Sequence, residues 1–228
     1  MQHLAMIMDG NRRWAKTRSF NALKGHTQGA QALKIAVSFC LENKIPYLSL
    51  YTFSLENFNR SEEEKNHLFN LLSDSLEKNL NDFIKNEIRV RFIGDRSYFP
   101  SQTKSAISKV EKATENFTNL NLSFLFCYGA KQEILHAVKN IASQVKNNSL
   151  NIDEITDETI QKNLWTNELP NPDLIIRTGG DVRLSNFLLY QSAYSEFIFL
   201  NYMWPEISKE ILNDCLVKFN NIKRNFGS

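Results

Sequence analysis

The sequence predicts a single α/β domain with a roughly six-stranded, mostly parallel sheet flanked by helices. Three observations predict it. Short apolar runs alternate with longer amphipathic stretches along the whole chain. The 228 residues, 42% of them hydrophobic, are enough for one sizeable core. No Pro/Gly/Ser-rich linker, repeat or low-complexity tract divides residues 1–228, so one domain is expected.

Each element has its own signal. Leu4–Met8 is a compact apolar run that ends in the turn signal Asp9-Gly10-Asn11. Helical spacing follows over about Thr27–Asn43, then a β-rich run at Tyr47–Phe53. Ser61 with Glu64 three residues on reads as a capping box. It opens a helix to about Lys85 with Leu68, Leu72, Leu76, Leu80 and Phe83 on one face. A strand at Ile88–Ile93, a helix over Ser101–Glu115, a strand at Leu120–Cys127 and a helix over Lys131–Lys146 come next. Asp173–Arg177 and Ser195–Leu200 are the last strands, and Glu206–Asn225 the last helix.

Charge and cysteine usage exclude several classes. The net charge of +2 is too balanced for a dedicated nucleic-acid binder or a polybasic membrane anchor. No apolar run approaches the ~18–20 residues that span a bilayer. The charges near the N-terminus follow its apolar part, the reverse of a signal peptide, and a cytoplasmic protein is expected. Cys40, Cys127 and Cys215 are far apart, with no CxxC, and read as buried thiols rather than a disulfide framework or zinc site.

In parallel sheets, ligands sit beyond the carboxyl ends of strands. Three strands here end in polar segments: Asp9–Trp14, Ser54–Arg60 and Arg177–Ser185. Together they carry Arg12, Arg13, Arg60, Arg177 and Arg183, with Gly10, Gly179 and Gly180 to let backbone N–H groups approach a ligand. Guanidinium groups suit phosphate oxygens. One Asp directly after a strand suits Mg²⁺, which takes one or two carboxylates plus phosphate oxygens. A diphosphate site with Mg²⁺ is one reading. The other is that Asp9 and Asn11 only make a turn and the arginines are solvated. No Walker A or GxGxxG pattern is present.

At these residues the sequence resembles the cis-prenyltransferases, the undecaprenyl diphosphate synthases and their relatives. The resemblance starts at His3-Leu-Ala-Met-Ile-Met-Asp-Gly-Asn-x-Arg-Trp-Ala15 and continues through Gly25-His26 and Gly29. Ser49-Leu-Tyr-Thr-Phe-Ser-x-Glu-Asn-Phe-x-Arg60, Ile93-Gly94-Asp95 and Tyr128-Gly129 follow. Pro172-Asp-Leu-Ile-Ile-Arg-Thr-Gly-Gly180, Arg183-x-Ser185-Asn186-Phe187-Leu188-Leu189, Glu196 and Trp204-Pro205 complete it.

The resemblance implies a homodimeric enzyme that condenses isopentenyl diphosphate onto an allylic diphosphate, typically farnesyl diphosphate, with cis double bonds. The product implied is a long polyprenyl diphosphate, the bacterial lipid carrier for cell-wall sugars, made in an apolar tunnel and delivered to a membrane with peripheral contact at its exit. It implies that Asp9 holds Mg²⁺, with Glu196 completing the metal site. Gly10, Asn11, Arg13 and His26 then grip the allylic diphosphate, and Arg177, Arg183 and Ser185 the isopentenyl diphosphate. Asn57, with Ser54 and Glu56 beside it, falls where the C2 proton leaves; the base itself stays open, because Asn is not a strong one. Arg12, Trp14, Leu55, Phe58, Arg60 and Leu184 join the implied substrate-binding set. The leucine stripe after Ser61 is either plain core or tunnel wall, and Leu120 is implied as tunnel floor.

The sequence also departs from the family pattern. Arg12 stands where relatives often have Gly, and Ala22 where they often carry a diphosphate-gripping Arg. Asp181-Val182 replaces a common Glu-His, and Phe58 a common Trp. In the tail Lys223–Gly227, Asn225 takes the place of an Arg that reaches across the dimer in relatives. Asp153-Glu154-x-x-Asp157 superficially resembles the paired aspartates of trans-prenyl synthases but reads as helix capping. His67 and His136 lack ligand-spaced partners. Phe197–Trp204 suits either an interface or core. The alternatives to a long-chain synthase are a shorter-chain synthase and a non-catalytic partner subunit of the same fold.

Overall fold

The computed structural model describes residues 1–223. Six strands, β1 (His3–Ile7), β2 (Tyr47–Ser54), β3 (Ile88–Ile93), β4 (Leu120–Tyr128), β5 (Leu174–Arg177) and β6 (Glu196–Phe199), form one sheet in the order β3-β4-β2-β1-β5-β6. Every pairing is parallel, so both faces need covering. Strand periodicity divides the core accordingly. Leu4, Met6, Leu48, Leu50, Phe124 and Ile176 point into one cluster. Ala5, Ile7, Tyr51, Leu125 and Ile175 point into the other.

The first cluster is closed by α2 (Ala22–Glu42), α3 (Glu62–Lys85), α4 (Ser101–Thr114) and α7 (Lys209–Asn220). On the opposite face α5 (Ala130–Lys146) begins at the second cluster, with α6 (Asp157–Asn163) packed on it. The short α1 (Asn11–Thr17) follows β1 directly and packs on α2. Its contact with α2 is close because Gly25 and Gly29 carry no side chain. A Cβ on Gly25 would lie 2.1 Å from the Asn11 carbonyl oxygen, and one on Gly29 2.3 Å from Asn11 Oδ1 and 2.9 Å from Trp204 Cδ1.

Topology puts a crevice between β1 and β5. The chain leaves β1 toward β2 on one side, whereas β5, its neighbour on the other side, leads outward to β6. Adjacent strands whose connections diverge open a ligand crevice at their carboxyl ends. Ile7 and Arg177 are paired at that end.

Several local expectations need correction. The Asp9–Asn11 turn leads at once into α1, which its basic, weakly periodic sequence conceals. The next helix starts at Ala22 rather than Thr27, because the Asn21 side chain accepts from the Lys24 N–H and caps it. The last helix begins at Lys209 under a Ser208 cap and ends at Asn220, with a 3₁₀ turn at Trp204–Glu206 before it. At Ser61 only half the capping box forms: Ser61 accepts from the Glu64 N–H at 3.3 Å, but the Glu64 carboxylate turns elsewhere. Asn151 and Thr156 are the caps around Asp153–Asp157, so the acidic cluster there does cap helical turns. Cys40, Cys127 and Cys215 are buried free thiols. The expectation for Asn225 lies outside the described residues.

Candidate active site

Asp9 is the hub of the crevice. Its Oδ2 accepts from Arg177 Nη2 at 2.8 Å, and its Oδ1 accepts from the Gly10 N–H at 2.6 Å and lies 3.2 Å from Arg13 Nη2. The Thr178 hydroxyl donates to the Asp9 carbonyl at 2.7 Å. Burial pushes this carboxyl up, but the Arg177 hydrogen bond and the charges of Arg13 and Arg177 outweigh it and hold Asp9 below its usual value. It is ionised at neutral pH. Gly179 permits the arrangement: at φ 91°, a Cβ there would fall 2.7 Å from Arg13 Nη2 and 3.2 Å from Asp9 Cβ.

Arg177 is buried, at 3% exposure, and spans the crevice. Its Nη1 donates to the Arg183 carbonyl and, at 2.8 Å, to Ser185 Oγ. Asp181 is the second acid. Its carboxylate takes Arg183 through Nη1 and Nη2 at 3.0 Å each, and Arg13 Nη2 at 3.2 Å. Three arginines and two aspartates therefore interlock, with Arg183 and Arg13 still about half exposed and able to turn to an anion.

A second charged group lies along α2 and α3. Glu64 Oε1 is 3.1 Å from both His26 Nε2 and Arg60 Nη1, and 3.9 Å from Arg12 Nε. Burial pushes Glu64 up, yet the His26 hydrogen bond and the Arg60 and Arg12 charges bring it below its usual value. Burial lowers His26 more than Glu64 raises it. Glu64 was read from sequence only as a cap; its signal as a site residue was the i,i+4 spacing from Arg60.

Two cavities meet here. A basic cavity of about 810 Å³ is walled by Asp9, Gly10, Arg12, Arg13, Lys16 and Arg60. An apolar cleft of about 570 Å³ runs between α2 and α3, past Leu33, Val37, Leu41, Leu68, Leu72 and Leu76, to Phe83, Ile88 and Phe124. Met8, Asn11 and His26 line both. Asn11 Oδ1 is buried without a hydrogen-bond partner at this junction. Ala22 lines the basic cavity and adds no charge.

The remaining expected site residues divide. Ser54 opens the 3₁₀ turn Leu55–Asn59, and Asn57 Oδ1 accepts its N–H at 3.0 Å. Glu56 Oε1 accepts from Asn186 Nδ2 at 2.7 Å. Phe58 packs on Phe53 and Tyr98, with ring centroids 5.1 and 5.0 Å away. Leu184 packs on the second core cluster. Trp14 is not brought to Asp9; the Arg18 guanidinium covers its ring at 4.6 Å. Glu196 is the first residue of β6. It pairs in register with Leu174, three residues before Arg177, about 10 Å back along the strand. Strand register is what the sequence withheld. Leu120 pairs with Ile88, which lines the cleft.

A parallel sheet with an arginine-lined crevice at its switch point, opening onto an apolar cleft, suits a ligand with an anionic head and an apolar tail. The comparisons with known proteins give the family. The family described as "Putative undecaprenyl diphosphate synthase" matches residues 7–227, and the chain belongs to that family of cis-prenyltransferases. It is 43% identical to an isoprenyl transferase of Staphylococcus saprophyticus, covering 99% of this chain and 89% of that protein. It is 39% identical to a farnesyl-diphosphate-specific ditrans,polycis-undecaprenyl-diphosphate synthase of Micrococcus luteus, covering 99% and 91%. A geranylgeranyl-diphosphate-specific tritrans,polycis synthase of Picrophilus torridus is 41% identical over 99% and 89%. Among solved structures, lavandulyl diphosphate synthase of Lavandula x intermedia, in complex with dimethylallyl diphosphate, superposes with a TM-score of 0.97 at 32% identity, covering 100% and 98%. A "probable undecaprenyl diphosphate synthase" of Campylobacter jejuni gives 0.82 at 34% identity, covering 100% and 99%.

Proposed function

We propose that this prenyltransferase condenses isopentenyl diphosphate onto farnesyl diphosphate in repeated cis steps, with Mg²⁺, to a polyprenyl diphosphate of undecaprenyl length. The observation that carries the reading is the junction at Met8, Asn11 and His26 between a basic cavity and an apolar cleft. A ligand with an anionic head and a long hydrocarbon tail fits both at once. The Micrococcus relative, named for farnesyl diphosphate, supports that starter. The carrier role in cell-wall synthesis rests on the same family reading.

The residues have distinct tasks in this reaction. Arg12, Arg13, Arg60 and His26 seat the allylic diphosphate, in the cavity that Gly10 and Asn11 also line. Arg177, Arg183 and Ser185 seat isopentenyl diphosphate. The allylic C–O bond breaks, the C4 carbon of isopentenyl diphosphate forms the new C–C bond, and its C2 proton leaves. Inorganic diphosphate is released. Preorganised positive charge at the departing diphosphate is where such a site lowers the barrier most. Asp9 fits Mg²⁺ as an ionised carboxylate among groups that orient phosphate oxygens, and this ion takes one or two carboxylates. Asp181 lies beside it. Bound there, the ion supplies charge neutralisation for the leaving diphosphate. Asn57, held by the Ser54 backbone, orients the C2 side of the substrate.

The α2–α3 cleft is then the start of the product tunnel. A dimer is supported by the edge strand β6 and the exposed Val182, Tyr194, Phe197 and Tyr202 near it, whereas Leu200 and Trp204 are core. No helix among the described residues is long and apolar enough to cross a membrane; delivery of the product to a membrane by peripheral contact rests on the family reading.

The test is turnover with labelled isopentenyl diphosphate and farnesyl diphosphate, with Mg²⁺ or EDTA, followed by product sizing. A Mg²⁺-dependent ladder ending near eleven isoprene units is expected. A ladder stopping early selects the shorter-chain reading, which the solved relative bound to dimethylallyl diphosphate favours. No incorporation from any allylic starter overturns the proposal.

A further inference from the structure

Three non-glycine residues occupy the left-handed region within four positions: Ser185 at φ 51°, Asn186 at φ 65° and Leu188 at φ 41°. Such conformations persist where the surroundings hold them. Here the holding converges on Asn186. Its carbonyl accepts from the Ala130 N–H at 2.9 Å, and its Oδ1 from the Lys131 N–H at 2.8 Å. Both oxygens thereby satisfy first-turn donors of α5. The Tyr51 hydroxyl adds bonds to the Ser185 and Asn186 carbonyls at 3.2 and 3.4 Å. Asn186 Nδ2 donates to Glu56 Oε1 at 2.7 Å and to Gln132 Oε1 at 3.0 Å.

Glu56 is 130 positions away in sequence, in the turn after β2. Ser185, next to Asn186, takes Arg177 Nη1. One side chain therefore ties together the turn after β2, the start of α5 and the loop after β5.

We propose that Asn186 is a positioning residue, a strut that fixes the isopentenyl diphosphate seat (Arg177, Arg183, Ser185) against the proton-loss side of the site (Glu56, Asn57). The proposal rests on the reaction given above. Condensation with loss of the C2 proton needs the diphosphate and C2 held at a fixed spacing, and a shift of ~1 Å in such a site can cost ~10²-fold. The Asn186–Glu56 bond links the two parts that must keep that spacing.

The test uses the full chain. Asn186→Asp keeps the oxygen that caps α5 but replaces the donor with a carboxylate facing Glu56. KM for isopentenyl diphosphate is expected to rise and kcat to fall, each about tenfold, the scale of a lost charge-assisted hydrogen bond. KM for the allylic substrate and the melting temperature stay near the parent values. A purely structural Asn186 would lower the melting temperature or both KM values together, not the isopentenyl diphosphate KM alone. An isopentenyl diphosphate KM within twofold of the parent overturns the strut.

Amide hydrogen exchange provides an arm that needs no turnover. Glu56→Ala, which leaves the α5 cap intact, should speed exchange across residues 183–188. If the parent chain shows no condensation but this coupling is present, the reaction assignment fails and the strut stands. If exchange there is unchanged, the strut fails whatever the chemistry.

Discussion

At the scale of single residues, Asp9 decides the chemistry. It neutralises Arg177, which has 3% exposure and a buried Nε with no partner. Asn at position 9 can still accept from Arg177, so the fold should survive. The charge that positions Mg²⁺ would be gone. Asp9→Asn is expected to lower kcat by roughly 10²–10³, the scale of one lost electrostatic contact to a transition state. Steady-state kinetics alongside circular dichroism checks this; a kcat within tenfold of the parent would remove Asp9 from the mechanism. Glu64 shows the complementary point. Ser followed by Glu three residues on is a genuine capping signal, and Ser61 does cap. The Glu64 side chain instead takes Arg60, four residues before it, and His26, which tertiary packing brings near.

At the scale of elements, α2 carries two constraints. One face must lie against Asn11 and Trp204, and Trp204 Nε1 donates to the Gly29 carbonyl at 2.8 Å. Gly29→Ala should therefore destabilise by about 1–3 kcal/mol through overpacking, despite the better helix propensity of Ala. A urea unfolding midpoint equal to or above that of the parent would contradict it. The other face, with α3, walls the cleft. Leu76 is buried there, and Leu76→Trp should shorten the product ladder while leaving the first condensations intact, as read by product sizing.

Strand positions were legible because the central parallel strands are nearly continuous apolar runs, and the edge strand Ile88–Ile93, which alternates apolar with Arg, agrees to the residue. The site was legible because its residues follow strand ends directly: Asp9 after β1, Arg177 at the end of β5. How far Glu196 lies from Asp9 depends on the β5–β6 register, which no local pattern encodes. α1 was hidden because Asn-Arg-Arg-Trp-Ala-Lys-Thr shows little apolar period, and its stability comes from packing on α2.

At the scale of the whole molecule, acid tolerance is set far from the crevice. His3 is buried in β1, with Nδ1 2.7 Å from the Pro170 carbonyl, which accepts its proton, and Nε2 2.8 Å from Ser49 Oγ. A neutral ring satisfies both contacts without a buried charge. Burial lowers its pKa to about 4 from 6.5. Between those values the unfolded chain takes up a proton that the folded chain refuses. Stability is therefore complete above about pH 6.5 and falls as pH drops toward 4, by on the order of 3 kcal/mol. Asp9 and Glu64, both held below their usual values, add losses at still lower pH. Urea titrations across this range should show the slope in the parent chain and not in His3→Asn; equal slopes would sink the assignment.

The central place of β1 also has a consequence in time. Asp9 and Arg177 meet across 168 positions of chain. At ~5–20 residues per second on the ribosome, about 10–30 s separate their synthesis. Throughout that interval β1 can pair with β2 but exposes its other edge, an unfilled slot in the middle of the future sheet. The nascent protein thus waits with its active-site carboxylate made and its buried arginine partner still unborn. Slowed translation before residue 174 should lengthen the period in which it depends on chaperones.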